Sequence, residues 1–324
     1  MKHKQIIALQ ALWKISQEYP DIFHKIDNAV ENIDPKMAGR WDSKLVYAPA
    51  ILAAWAILEN KGRASILRHP FDLPLITALA GWRKAKTVYD FSPALADELI
   101  KSAQSEEISI PISALALPYW SIYIKPNIKE WDIDGFFAYY NDDVTHKTGE
   151  HIKELRFTPL AKNGNVLPTI YLVQNESKDI CIKDAINALF NGSSGKELCT
   201  IAAQMLSFVL YLSAINADIK RDFTQPFRRT KQVRDIATEV EHINVGDEVA
   251  IHIKEMRKHP AARTVCEPLG GHHRPPATHV RRAHWHTFRT GKGRKKIQVR
   301  WLAPIIVNAD GGKKNIVTIN KVDE

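Results

Sequence analysis

The residue types best suited to chemistry are concentrated near the C-terminus, where residues 279–286 read HVRRAHWH. In a β-strand, alternate side chains share a face. A strand over residues 279–288 would therefore place three such groups together: Arg282, His284 and His286. One imidazole could accept the 2′-hydroxyl proton of RNA, the other could protonate the leaving oxygen, and the arginine could hold the phosphate. These three residues are candidate catalytic groups of a small metal-independent ribonuclease.

The same tract supports three other interpretations. Its histidines could bind zinc, but the sequence offers no evident third and fourth ligand, so we predict no metal and no cofactor. The side chains could be structural, with Trp285 in a core and the imidazoles bonded to the backbone. They could also contact RNA or another partner without catalysis, with Trp285 as a stacking face. We favour this last interpretation, because no acidic residue lies in the tract to orient a histidine.

A second alternating segment follows at residues 294–301, RKKIQVRW. Its apolar positions Ile297, Val299 and Trp301 would face a core, while the positions between them would face outwards. If the two segments pair, one surface carries basic groups from both. The predicted contacts to nucleic acid or ribosome are His279, Arg281, Arg282, His284, His286, Lys296 and Arg300.

The charge of the chain is distributed unevenly. The net charge is +9, from 45 Lys and Arg against 36 Asp and Glu. Residues 219–324 contain 22 basic and 11 acidic side chains, a balance of +11, and the first 218 residues contain 23 and 25, a balance of −2. All the excess positive charge therefore lies in the last third, which indicates an acidic partner there, with nucleic acid the first candidate.

Other classes of site find no support in the sequence. The segment GSSGK at residues 192–196 has Phe190 where a phosphate-binding loop needs glycine, and Glu197 where it needs serine or threonine. The three cysteines are odd in number and form no CxxC pair, which is typical of free thiols in a reducing interior. We therefore expect a cytoplasmic protein.

The longest uncharged stretch, residues 198–217, is about as long as a membrane span. Polar residues recur within it at helical spacing, which favours a buried helix of a globular core. The N-terminus, MKHKQIIALQALW, lacks the long apolar segment and the cleavage site of a signal peptide. We predict no membrane association.

The hydrophobic patterning that must position these groups predicts an α+β fold. Residues 1–105 read as a helical region, with helices at residues 50–59 and 74–83. Residues 106–218 read as an α+β region packed with it, in which a small antiparallel sheet is closed by the buried helix. The strands of that sheet are predicted from five segments: ISIPI from Ile108, WSIYI from Trp120, GFFAYY from Gly135, LRFTPL from Leu155 and PTIYLV from Pro168.

The last third divides into two regions. Residues 219–270 read as a basic helical connector, with helical patterns from Lys231 and over residues 246–258. Residues 271–324 read as a basic β unit that contains the HVRRAHWH motif.

Several of these stretches together resemble a family of type V-A anti-CRISPR inhibitors, whose relatives are spread over phages and plasmids. The resemblance is strongest in HVRRAHWHTFRTG and KIQVRWLAPIIVN, which are long and unusual in composition. It extends upstream, in the same order along the chain, to AGWRKAKTVYDF from Ala80, ALPYWSIYI from Ala116 and NVGDEV from Asn244.

The resemblance implies an inhibitor that lowers production of the type V-A CRISPR effector nuclease in the bacterial host cell. Members of that family recognise the nascent N-terminal peptide of the nuclease during translation, and its mRNA is lost. We expect the near-neutral, aromatic part to bind the peptide and the basic part to meet RNA or the translating ribosome. The candidate peptide contacts are Trp82, Tyr89, Trp120 and Tyr123. The alternatives are the ribonuclease above, or a phage or plasmid accessory protein that binds nucleic acid without an anti-CRISPR role.

Overall fold

The fold is organised around six β-strands, seen here in a computed structural model of the chain. The structure describes residues 6–33, 42–62, 69–103, 110–144, 151–175, 181–189, 195–220, 240–258 and 279–307. The helices in these ranges are α1 (Ile7–Glu18), α2 (Ile22–Asn32), α3 (Ala50–Lys61), α4 (Asp72–Trp82), α5 (Pro93–Ala103), α6 (Ile182–Leu189), α7 (Gly195–Ser213) and α8 (Asp247–Lys258). The strands are β1 (Thr87–Phe91), β2 (Ser121–Lys125), β3 (Ile133–Val144), β4 (His151–Ala161), β5 (Ile170–Asn175), β6 (Glu241–Val245), β7 (His279–Arg281), β8 (His284–Thr290), β9 (Lys296–Leu302) and β10 (Ile305–Val307).

One sheet contains the first six strands, in the order β5-β4-β3-β2-β1-β6. Strands β2 to β5 are antiparallel neighbours, which confirms four of the five predicted strand segments. Strand β1 pairs in parallel with both β2 and β6. The sheet is therefore mixed and larger than predicted, because β1 comes from the region predicted as helical and β6 from the predicted connector.

Helices cover both faces of this sheet. On one face, α1 to α4 pack against Val88, Tyr123 and Phe137. On the other face, α5 and α7 pack against Phe136 and its neighbours. Successive residues of β3 therefore enter opposite cores, which explains why the segment GFFAYY is apolar without alternation.

The predicted ISIPI strand is wrong in the part that the structure describes. Pro111 forms only an isolated bridge with Cys181, and Ile112–Ala114 is a short 3₁₀ helix. Proline has no N–H to donate to a strand ladder, which favours this outcome. The helices predicted at residues 50–59, 74–83 and 246–258 are confirmed as α3, α4 and α8. The helical pattern from Lys231 lies outside the described residues.

The buried helix predicted near residues 198–217 is confirmed as α7. Two of its polar residues are buried and have partners: Ser207 Oγ donates to the Gln204 carbonyl at 2.7 Å, and the Tyr211 hydroxyl accepts the Asp218 N–H at 3.1 Å. These internal bonds allow the polar groups to lie inside the core. Within the described residues, the structure has no helix of the length and apolarity that a membrane span requires.

Candidate nucleic-acid interface

Strands β8 and β9 form an antiparallel hairpin, which is the pairing that the two alternating segments predict. His286 lies opposite Arg300, and Phe288 lies opposite Gln298. Because directly opposite residues share a face, one side of the hairpin combines side chains from both strands. We call this side the outer face; its residues are His284, His286, Phe288, Thr290, Lys296, Gln298, Arg300 and Leu302.

The other side of the hairpin is fixed to the body of the protein. Val299 and Trp301 are each only 2% exposed and belong to the core that contains α7. The Trp301 ring lies 5.7 Å from that of Tyr211. The Asn216 side chain bonds to both backbone groups of Trp301. The Asn216 amide nitrogen donates to the Trp301 carbonyl at 2.8 Å, and the Asn216 amide oxygen accepts the Trp301 N–H at 3.1 Å. The predicted inward direction of Val299 and Trp301 is confirmed.

The hairpin and its flanking strands carry positive charge that is not neutralised. Residues 279–307 contain eight Lys and Arg and no Asp or Glu. All eight are exposed, and none makes an ion pair within the part of the chain that the structure describes. They are Arg281, Arg282, Arg289, Lys292, Arg294, Lys295, Lys296 and Arg300. Such a surface attracts a polyanion.

The histidine-rich tract is not one strand. Strand β7 ends at Arg281 and pairs with β10 in a separate two-stranded sheet, and β8 begins at His284. The single strand predicted over residues 279–288 is therefore wrong, because the chain changes partner at Arg282 and Ala283. Alternation no longer places Arg282 in line with the two histidines, and the three-residue catalytic row loses its structural basis.

The surroundings of His284 also weigh against catalysis. Its Nδ1 lies 3.1 Å from the Arg282 carbonyl, and its Nε2 lies 3.1 Å from an Arg281 guanidinium nitrogen. A carbonyl can only accept and a guanidinium can only donate, so Nδ1 carries the proton and Nε2 accepts. Both ring nitrogens of His284 are thus engaged within the protein in this structure, which leaves neither directed at RNA or a metal.

Phe288 is a residue of the outer face that the sequence reasoning missed. Its ring lies 4.3 Å from that of His286, and the Arg300 guanidinium carbon lies 5.3 Å from its centroid. Trp285, predicted as a stacking face, has a buried indole nitrogen and packs against the core instead. The signal for Phe288 was present in the sequence, since it continues the two-residue spacing of His284 and His286.

Three of the four candidate peptide contacts are core residues in the structure. Trp82, Tyr89 and Tyr123 are at most 1% exposed, and the Trp82 indole donates to the Thr87 carbonyl at 2.9 Å. Burial and the Asp134 carboxylate raise the pKa of Tyr123 well above its usual value. These rings support the sheet from within and offer no surface to a peptide in this conformation.

Trp120 is the exception, because it is partly exposed. Its ring lies 5.1 Å from that of Tyr47, and its indole donates to the Ser43 carbonyl at 3.0 Å. Tyr47 donates in turn to the carboxylate of Asp27. Trp120 therefore lies at the edge of a polar cluster that joins α2, α4 and the start of β2.

Asp27 is the centre of that polar cluster. Its carboxylate forms ion pairs with Arg83 and with Lys84, the latter at 2.9 Å. Burial alone would raise the pKa of Asp27, but hydrogen bonds from Arg83, Tyr47 and Lys84 hold it below its usual value. Arg83 belongs to the AGWRKAKTVYDF stretch, so this part of the resemblance corresponds to a structural junction.

Within the described residues, one group of side chains has the spacing of a metal site: Glu18, His69 and Asp72. Both carboxylates already have partners. Glu18 pairs with Lys61 at 3.1 Å, and Asp72 accepts the Tyr19 hydroxyl at 2.5 Å. We assign no metal to this group.

Taken together, the geometry defines an α+β protein in which a mixed sheet lies between two layers of helices and a separate basic hairpin is packed against the core around α7. A sequence model described as the AcrVA2-like, Anti-CRISPR type V subtype A2 family matches residues 89–309. This match spans more than half of the chain, so the protein belongs to that family and is an anti-CRISPR protein of type V-A.

The fold has a counterpart among solved structures. The structure described as "Crystal structure of AcrVA2" is similar, with a TM-score of 0.63 over 94% of this chain and 100% of that chain. The sequences are 17% identical, so this likeness concerns the fold alone. No curated protein matches the sequence. The family match begins within β1 and ends just beyond β10, so it includes the whole basic hairpin.

Proposed function

We propose that this protein lowers production of a type V-A CRISPR effector nuclease in the cytoplasm of the bacterial host cell. In this proposal it recognises the nascent N-terminal peptide of the nuclease and promotes loss of the mRNA being translated. The basic hairpin is the element that contacts RNA, as free message or on the translating ribosome.

The observation that carries the RNA part of the proposal is the outer face of the hairpin. Its cations Lys296 and Arg300 come from β9, further cations lie at the tip, and no carboxylate lies in residues 279–307 to neutralise them. Each cation that contacts a phosphate releases a counterion from the nucleic acid, which favours binding at low salt. The opposite side is anchored to the core by the buried Trp301 ring and by the Asn216 hydrogen bonds to the Trp301 backbone, which leaves the outer face turned away from that core.

The peptide part of the proposal is supported by the near-neutral charge and aromatic content of the first 218 residues. Of the four residues proposed as peptide contacts, Trp120 is the one whose ring is partly exposed, and Tyr47 packs beside it. We propose this pair as the edge of the peptide site. Tyrosine and tryptophan suit such a role, because each offers a large apolar surface with a polar group.

The ribonuclease alternative has less support. General acid–base catalysis requires a ring nitrogen that can reach the substrate, and both nitrogens of His284 are engaged within the protein. His286 remains exposed, but its ring is packed against Phe288.

The proposal is tested by measuring nuclease protein and mRNA in cells with and without this protein. One reporter carries the natural opening codons of the nuclease, a second carries synonymous codons, and a third encodes a different opening peptide. We expect loss of the first two messages and survival of the third, because recognition depends on the encoded peptide. Loss that follows the nucleotides, or no loss of any message, would contradict the proposal.

A further inference from the structure

The outer face of the hairpin contains rings as well as cations, and the rings occupy a defined position. His286 and Arg300 form one cross-strand pair, and Phe288 lies one step closer to the tip on the same face. Same-face neighbours on a strand are about 7 Å apart. His286 and Arg300 therefore both lie on the side of Phe288 that faces away from the tip.

The contacts of the Phe288 ring with His286 and Arg300 involve residues on that side, and different residues lie on the side that faces the tip. Its same-face neighbours there are Thr290 and Lys296, of which Thr290 is short and Lys296 is an exposed, flexible cation. Phe288 leaves 36% of its surface exposed, so part of its ring is accessible to a ligand. A planar apolar group could lie on this ring with a cation beside it.

A surface that combines an exposed ring with surrounding cations suits unpaired RNA better than duplex RNA. In a duplex the bases are stacked on each other and paired, so a protein reaches mainly phosphates and 2′-hydroxyls. In an unpaired strand each base offers a free face, and proteins bind such strands with cationic grooves and aromatic rings. Phosphate contacts alone would need no ring at this position.

We infer that the outer face binds an unpaired stretch of message, with a base stacked on Phe288 and phosphates held by Arg300, Lys296 and the tip. This inference rests on the proposed function, because it names the form of RNA that the hairpin contacts. His286 and Arg300 contact the Phe288 ring and so help to hold it in position. The stacking tolerates any base, so binding does not depend on base sequence.

The test uses the full-length chain and three RNA probes at several salt concentrations. The probes are a short oligouridine strand, an equally long strand without bases, and the duplex of oligouridine with its complement. Binding of the oligouridine strand is also measured in competition with vacant ribosomes and with RNA extracted from them. The variants are Phe288→Leu, which keeps an apolar side chain, and Phe288→Tyr, which keeps the ring. Tyr171→Leu is the matched control, because Tyr171 is an exposed ring on β5, far from the basic third of the sequence.

We expect the natural protein to bind oligouridine more tightly than the duplex or the strand without bases. Phe288→Leu should weaken oligouridine binding about tenfold, the loss of one stacked base, while Phe288→Tyr and Tyr171→Leu should not. The strand without bases should bind the natural protein and Phe288→Leu equally. The salt dependence should be the same in all, because the phosphate contacts remain.

Three results would overturn the inference. The first is equal binding of oligouridine and the duplex. The second is an oligouridine affinity that is unchanged in Phe288→Leu. In both cases the RNA contact of the proposed function would still stand. Displacement of oligouridine by vacant ribosomes, but not by an equal mass of RNA extracted from them, would contradict the assignment to message. If the natural protein bound none of the probes, the RNA part of the proposed function would fail as well.

Discussion

The central sheet and the C-terminal hairpin are both rich in aromatic residues, but these residues have opposite roles in the two regions. Helices cover both faces of the sheet, so Phe136 and Phe137 enter separate cores although they are adjacent in sequence. The hairpin is covered on one side only, so Trp301 is buried and Phe288 is exposed. The number of covered faces therefore decides whether an aromatic side chain stabilises the fold or is available to a partner.

The largest effect that separates the two sides of the hairpin is expected at Trp301. Trp301→Ala removes a ring packed on Tyr211 and leaves a cavity, so we expect the free energy of unfolding to fall by about 3–5 kcal/mol. Phe288→Ala is the control on the same hairpin and should cost less than about 1 kcal/mol. Urea unfolding measures the free energy of unfolding of both variants. Equal losses of this free energy would mean that the two faces of the hairpin do not differ in their contribution to stability.

A second stability prediction concerns the polar cluster of the N-terminal side. Asp27→Asn leaves Arg83 and Lys84, both largely buried, without their carboxylate, and we expect a cost of about 3 kcal/mol near neutral pH. The hairpin does not share these residues, so RNA binding by the folded variant should be unchanged.

The cost of Asp27→Asn should depend on pH in one direction. The folded-state pKa of Asp27 lies below its unfolded value, which is near 3.9. The contribution of the carboxylate is thus fully present above the unfolded pKa and is lost as the pH falls through the folded one. Unfolding of the natural protein and the variant at pH 6 and pH 3 should show the difference shrinking at the lower pH. A difference that grew on acidification would contradict the role of the carboxylate.

A smaller effect on affinity is expected when cations of the hairpin are removed. Arg282→Ala with Arg300→Ala should weaken binding of unpaired RNA and reduce the slope of log affinity against log salt by about 1.4, or about 0.7 for each phosphate that is no longer neutralised. Filter binding over a range of salt measures the slope. An unchanged slope would show that these guanidinium groups do not meet phosphates.

The smallest effect is expected for RNA integrity. We expect the natural protein to leave RNA intact in the presence of a chelator, and His284→Ala to make no difference, because both ring nitrogens of His284 are engaged within the protein. Gel analysis of a labelled strand measures this. Cleavage that disappears in His284→Ala would restore the ribonuclease hypothesis.

The hairpin was predictable from the sequence because its pattern is local. Alternation at Ile297, Val299 and Trp301 sets the buried face, and the pairing of two nearby segments follows. The break at Arg282 and Ala283 was not predictable, since it depends on the return of β10 to pair with β7.

The central sheet was less predictable, for a different physical reason. Strand β1 is buried on both faces and shows no alternation, and its parallel partner β6 lies about 150 residues further along the chain. Trp82, Tyr89 and Tyr123 are buried because helices pack on both faces of the sheet. The local sequence pattern does not predict this packing. Charge asymmetry pointed to the basic surface, but it could not identify Phe288 as the exposed ring.

The central claim is that the cationic outer face is needed to lower production of the target nuclease. The most direct measurement is the level of nuclease mRNA in cells that contain Lys296→Gln with Arg300→Gln, compared with Lys14→Gln with Lys44→Gln. Both double variants remove two exposed positive charges, and only the first removes them from the hairpin. We predict that the first variant leaves the mRNA near its uninhibited level and that the second depletes it as the natural protein does. Equal depletion by the two folded variants would contradict the account.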